Sequence, residues 1–93
     1  MIKSFKSKET EKLFQGMFSS KLPQTIQRTA AIKLEMIHAA TMIETLRVPP
    51  SNHLEELHKE RKGQHSIRIN KQWRICFTWK GNDAYDVKIA DYH

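Results

Sequence analysis

The stretch QHSIRINKQWRICFTWK, residues 64–80, decides the fold. Its apolar residues fall at Ile67, Ile69, Trp73, Ile75, Phe77 and Trp79, with polar residues between them. A period of two is the mark of a strand with one buried face. The alternation breaks once, at Asn70-Lys71-Gln72, so the stretch reads as two strands joined by a short hairpin loop. Buried faces must match across such a hairpin, because a slip of one residue turns every side chain over. A loop of Asn70-Lys71-Gln72 achieves this: Ile69 opposes Trp73 and Ile67 opposes Ile75.

The next run, residues 84–92, repeats the alternation with Tyr85, Val87 and Ile89 on one face. A Gly81-Asn82-Asp83 loop then sets Trp79 against Tyr85, Phe77 against Val87 and Ile75 against Ile89. A two-residue loop would set apolar against polar residues. The strand that begins at Trp73 becomes the middle one of three.

Upstream, residues 2–6 read as a short strand. Leu13, Phe14, Met17 and Phe18 make one stripe of a helix over residues 7–18. Ser19-Ser20-Lys21 is a break, and Pro23 suits the first turn of a second helix over residues 23–40. Its inner face carries Ile26, Ala30, Leu34 and Ile37. Pro49-Pro50 ends helical structure, so residues 47–52 form a loop. The expected class is α+β: an N-terminal strand and two helices packed on a C-terminal antiparallel sheet. Ninety-three residues suit one domain, residues 1–93.

Sixteen Lys and Arg against ten Asp and Glu give a net charge of +6. Such a balance favours polyanions, an anionic surface or an acidic protein. The single cysteine, Cys76, excludes an internal disulfide and reads as a small filler in a strand. No run approaches the about 20 apolar residues of a membrane span, and the N-terminus lacks the apolar segment of a signal peptide. A cytoplasmic protein with no membrane association is expected.

The register puts Arg68 directly across from Arg74 on the polar face. Arg74 also lies across from Ala90, Lys88 across from Cys76, and Tyr92 shares that face. Like charges directly opposed on a sheet repel. Either the two guanidiniums splay into solvent, or a bound anion such as phosphate lies between them. Lys59, Arg61, Lys62 and Lys71 add charge around them. They are either a solubilising loop or a rim that follows a phosphate backbone.

No two of the five histidines have the i, i+4 spacing of a metal-binding helix, so neither a metal nor a cofactor is expected. His38 reads as a surface residue, and His65 shares the core parity. His58 and His93 flank the basic face and are the proton-transfer candidates. Strict alternation points His93 away from Tyr92, so it joins the site only through a bend at the end of the chain.

The block Ser66-Ile67-Arg68-Ile69-Asn70-Lys71-Gln72-Trp73-Arg74 and the ending Asp91-Tyr92-His93 resemble the HigB-type toxins of the RelE/ParE superfamily. The resemblance covers essentially the whole chain, including the opening Met1-Ile2-Lys3-Ser4-Phe5. It implies a microbial-RNase-like fold and a ribosome-dependent endoribonuclease that cuts mRNA and halts translation. It implies neutralisation by a HigA-like helix-turn-helix antitoxin, with operator DNA bound only through the toxin–antitoxin complex. Arg74 matches the family arginine at the scissile phosphate, and Tyr92 and His93 match its C-terminal functional pair. Many members have Leu-Lys-Gly-Asp-Arg where this chain has Leu57-His58-Lys59-Glu60-Arg61, so His58 stands in the lysine's place. Glu55 stands where some members have histidine.

With this resemblance, His93 is expected to act as general acid, His58 as base and Tyr92 as a group that orients the substrate. Arg68, Lys59, Arg61, Lys62 and Lys71 are then expected to bind the RNA backbone. Two other functions fit the same fold: a ParE-like poison of DNA gyrase, and a non-catalytic nucleic-acid-binding subunit.

Overall fold

The structure, a computed structural model, describes residues 1–57 and 63–92. Helix α1 (Lys8–Phe14) and helix α2 (Gln24–Ala39) precede two 3-10 turns (Ile43–Arg47 and Pro50–Asn52). Strands β1 (Glu55–Glu56), β2 (Gln64–Arg68), β3 (Trp73–Lys80) and β4 (Asp83–Asp91) follow. The strands form an antiparallel sheet in the order β1-β2-β3-β4. Both helices pack on one face, and the α+β class is as the sequence predicts.

The core lies between α2 and the sheet. Ile26, Ala30, Leu34 and Ile37 meet Ile67, Ile75, Phe77, Val87 and Ile89, all buried. The β2–β3 register is the expected one, with Ile67 opposite Ile75 and Arg68 opposite Arg74. Asn70 builds that turn, because its Oδ1 accepts from the backbone N–H of Gln72 and of Trp73, both at 2.8 Å.

The β3–β4 hairpin departs from the expected register. Its turn has only Gly81 and Asn82 between the paired residues Lys80 and Asp83. Gly81 has φ +62°, which suits the first position of a two-residue hairpin turn. Thr78 therefore faces Tyr85, and Trp79 faces Ala84. A bulge then restores the expected pairing at Cys76–Lys88 and Ile75–Ile89. It sets Asp86 and Val87 against Phe77 alone, with Asp86 in the left-handed region at φ +53°. Buried Ala84 takes the core position expected for Tyr85, which turns to the other face.

Helix α1 is shorter than predicted. Gly16 adopts φ +84°, and the N–H groups of Gly16 and Met17 donate to the carbonyls of Leu13 and Lys12. This C-terminal cap stops the helix at Phe14. Met17 and Phe18, expected on its inner stripe, are exposed instead. Ser19 is fully buried: its N–H donates to Gln27 Oε1 (3.0 Å), its carbonyl accepts from Gln27 Nε2 (2.6 Å), and its hydroxyl donates to Glu9. Lys33 of α2 is buried as well, with its ammonium donating to Asn52 Oδ1, and burial pushes its pKa down.

The N-terminal segment joins the outer edge of β4 through two parallel bridges, Ile2–Ala84 and Phe5–Val87. His38, expected at the surface, is half-buried against Phe14, and its Nδ1 accepts from the N–H of Ile2 (3.1 Å). Buried Thr10 completes the edge by accepting from the N–H of Ile89 (2.9 Å). No helix among the described residues is long and apolar enough to cross a membrane.

Candidate active site

The sheet face away from the helices carries the candidate site. Along β2 it presents Gln64, Ser66 and Arg68, and along β3 Arg74, Cys76 and Thr78. Rows of paired residues cross it: Glu55, Ser66, Cys76 and Lys88 form one row, and Arg68, Arg74 and Ala90 the next.

Arg74 is the best-anchored cation on this face among the described residues, with its side chain only 11% exposed. Its Nε donates to Ser66 Oγ at 2.8 Å. Its Nη2 donates to the carbonyls of His53 and of Ser66 (3.3 Å), and lies 3.2 Å from Glu55 Oε1. Nη1 takes no part in these contacts among the described residues. Arg68 has a different partner, its Nε donating to the Asn70 carbonyl at 3.0 Å. Each of the opposed guanidiniums thus has its own partner, Glu55 of β1 for Arg74 and the Asn70 carbonyl for Arg68. Arg68, Arg74 and Lys71 line one open groove with His53, Leu54, Glu55 and Asn70.

Tyr92 lies in a second depression. Its hydroxyl sits 3.4 Å from Cys76 Sγ, and its N–H donates to the Gln72 carbonyl. This cleft has a volume of about 480 Å³ and is floored by Gln64, Cys76 and Thr78, with Leu57, Lys88 and Ala90 around them. It lies where the bulge at Asp86 and Val87 increases the twist between β3 and β4. Tyr92 and Arg74 thus flank Ala90 on one face but line neighbouring hollows.

His58, Lys59, Arg61, Lys62 and His93 lie outside the described residues. The chain leads into them from Leu57 and Tyr92, both of which line the cleft.

Sequence reasoning missed Glu55 as the partner of Arg74, and Ser66 as the support of its guanidinium. A two-residue strand carries no readable periodicity, so nothing in the sequence placed Glu55 beside β2. Gln64 and Thr78 were findable, because they share parity with Arg68 and Arg74 in the register already deduced.

This architecture is that of the RelE-like proteins. It is similar to the crystal structure of YafQ from E. coli strain BL21(DE3), with a TM-score of 0.66 over 98% of this chain and 91% of that one. At 12% identity that likeness concerns the fold alone. Residues 3–93 match the family described as RelE-like toxin of type II toxin-antitoxin system HigB. The chain is 39% identical over 90 residues to Toxin HigB-1 of Vibrio cholerae serotype O1, covering 96% of this chain and 95% of that one. It is 34% identical over 96 residues to Endoribonuclease HigB of Proteus vulgaris, covering the whole of both. The chain belongs to the HigB-like toxins of type II toxin–antitoxin systems.

Proposed function

We propose that this toxin is an endoribonuclease that cuts mRNA on the ribosome by attack of the RNA's own 2′-hydroxyl. The observation that carries this is the setting of Arg74. Its guanidinium is held by Ser66, His53 and Glu55 beside Arg68 and Lys71, and among the described residues Nη1 is left for a ligand. A donor fixed in advance stabilises developing negative charge without reorganising during the reaction. The relative named Endoribonuclease HigB supports the same reading.

In the proposed reaction the 2′-oxygen attacks the adjacent phosphorus, and its proton passes to a base. Arg74 neutralises the charge that builds on the phosphorane oxygens. The 5′-oxygen leaves with a proton from an acid, and the products carry a 2′,3′-cyclic phosphate and a 5′-hydroxyl. His58 serves as base and His93 as acid, each suited to proton transfer near neutral pH. Tyr92 orients a base, and Arg68, Lys59, Arg61, Lys62 and Lys71 hold the backbone.

A toxin of this family has an antitoxin partner. We read that partner as a HigA-like helix-turn-helix protein, through which alone the toxin reaches operator DNA. The chain acts in the cytoplasm as one domain, and the family match over residues 3–93 supports that extent. A translating extract supplied with the toxin tests the reading by primer extension on the message. New 5′ ends at ribosome-occupied codons are expected; an intact message under active translation rules the reading out.

A further inference from the structure

We propose that the cleft over β2, β3 and β4 receives one unpaired RNA base, whose hydrogen-bonding edge is read by Gln64 and Thr78. The proposal rests on the endoribonuclease reading and adds to it a site that determines sequence preference.

Gln64 and Thr78 are directly paired across β2 and β3, and both side chains project from the face that carries Arg74. Both are half-buried in the cleft floor. Neither the amide of Gln64 nor the hydroxyl of Thr78 bonds to another described side chain or backbone group. This sets them apart from Arg74 and Ser66 on the same sheet face, which bond to each other. A glutamine amide presents a donor and an acceptor side by side, and a hydroxyl serves as either. That set matches the edge of a nucleobase, which offers donors and acceptors in a plane. Proteins that read RNA sequence take unstacked bases in this way, with an aromatic ring alongside.

The walls fit the same ligand. Tyr92 is fixed by its contacts with Cys76 and Gln72, and Leu57 adds apolar surface. The volume of about 480 Å³ lies within the range of small-molecule sites. Lys6 and Lys88, both exposed, stand on the rim, and neither is ion-paired among the described residues. They can take the phosphates on either side of the inserted base. The rim also holds two carboxylates, and both are engaged: Asp91 accepts from the Gln72 amide (3.0 Å) and Asp86 from the Ser4 hydroxyl (3.5 Å). The position of Ala90 between cleft and Arg74 places the read base next to the scissile phosphate.

The test maps cut sites of the full-length toxin on a message library in a translating extract. The wild type should prefer one base at a fixed position from the cut by about tenfold, the size expected of a good edge contact. Gln64→Ala with Thr78→Val should reduce that preference to below about twofold, and Gln64→Glu, which exchanges a donor for an acceptor, should change the preferred base. Lys88→Ala should weaken cutting at all sites alike. Circular dichroism melts confirm that each variant is folded. If the variants cut with the wild-type base profile, this inference is wrong while the endoribonuclease reading stands. If the wild type cuts no message, both fall.

Discussion

Glu55 Oε1 and Arg74 Nη2 meet at 3.2 Å across the edge of the sheet, joining an exposed carboxylate to a nearly buried guanidinium. The pair ties β1 to β3 over the intervening β2 and fixes the plane of the fork. An ion pair with so exposed a partner contributes at most about 1 kcal/mol to stability, so its main effect is orientation. Arg74→Ala should lower message cleavage by about 10²–10³-fold, as for the loss of one transition-state donor. Arg74→Lys should restore little, because an ammonium cannot bond Ser66 and Glu55 and still offer a second planar edge. Glu55→Ala should cost less than Arg74→Ala, since it removes the orienting group and leaves the charge. Primer extension measures each variant. Full cleavage by folded Arg74→Ala would remove Arg74 from the site.

Asp86 carries the bulge on β4 at φ +53°. An aspartate tolerates this region, whereas a β-branched residue does not. Asp86→Val should therefore destabilise the protein by about 1–2 kcal/mol, the cost of forcing the left-handed region on such a residue. Asp86→Gly should be close to neutral, because relief of strain offsets the loss of the Ser4 contact. Urea denaturation distinguishes the two. Equal stability of the valine variant would mean that the bulge is not fixed by this residue.

The same bulge shows where the sequence stops being readable. Alternation gave the β2–β3 register and the far end of β3–β4 correctly, since Ile67, Ile75 and Ile89 admit one arrangement with their faces together. Periodicity cannot register an inserted residue whose type is compatible with an ordinary strand. Asp86 is not the glycine that would signal a left-handed position, so alternation alone puts Tyr85 on the wrong face. The end of α1 was legible in principle from Gly16, but the apolar pair Met17 and Phe18 suggested a longer stripe. In the candidate site, the opposed arginines followed from register alone. Their resolution did not, because it depends on Glu55 from a strand too short to show a pattern.

Tyr92 offers two separable contributions, a ring and a hydroxyl beside Cys76. If the ring stacks on a base, Tyr92→Phe keeps most of the cleavage rate and Tyr92→Ala loses binding by about 1–3 kcal/mol, the usual value for one stacked base. If the hydroxyl does the chemistry, the phenylalanine variant falls as far as the alanine one. Single-turnover cleavage on stalled ribosomes, with the toxin titrated, separates the two outcomes.

Gln27 holds the turn between the helices by bonding both backbone groups of Ser19 and the carbonyl of Leu22 (2.9 Å). Gln27→Ala would leave the buried Ser19 N–H and carbonyl without partners. Each such group costs about 1–3 kcal/mol. The variant should lose at least about 2 kcal/mol by urea denaturation. Hydrogen exchange should quicken at the Ser19 amide before it does in β3. Unchanged exchange there would show that the turn is held by other contacts.

Ser19 also sets an acid-side dependence through Glu9. Its hydroxyl donates to the Glu9 carboxylate, and this bond, ahead of the nearby Lys12 ammonium at 3.3 Å, holds the Glu9 pKa below its ordinary value. The unfolded chain therefore binds this proton at a higher pH than the folded one does. The stabilising contribution is complete above the unfolded-state pKa and disappears as pH falls through the lowered folded-state value. Glu9→Gln keeps an acceptor for Ser19 but removes the titration. Between neutral pH and pH about 3, well below an ordinary glutamate pKa, the urea midpoint of the wild type should fall more steeply than that of Glu9→Gln. A second acid-sensitive pair, Glu44 with Arg47, is present in both proteins and cancels in the comparison. Parallel curves would show that the Glu9–Ser19 bond does not contribute to acid stability.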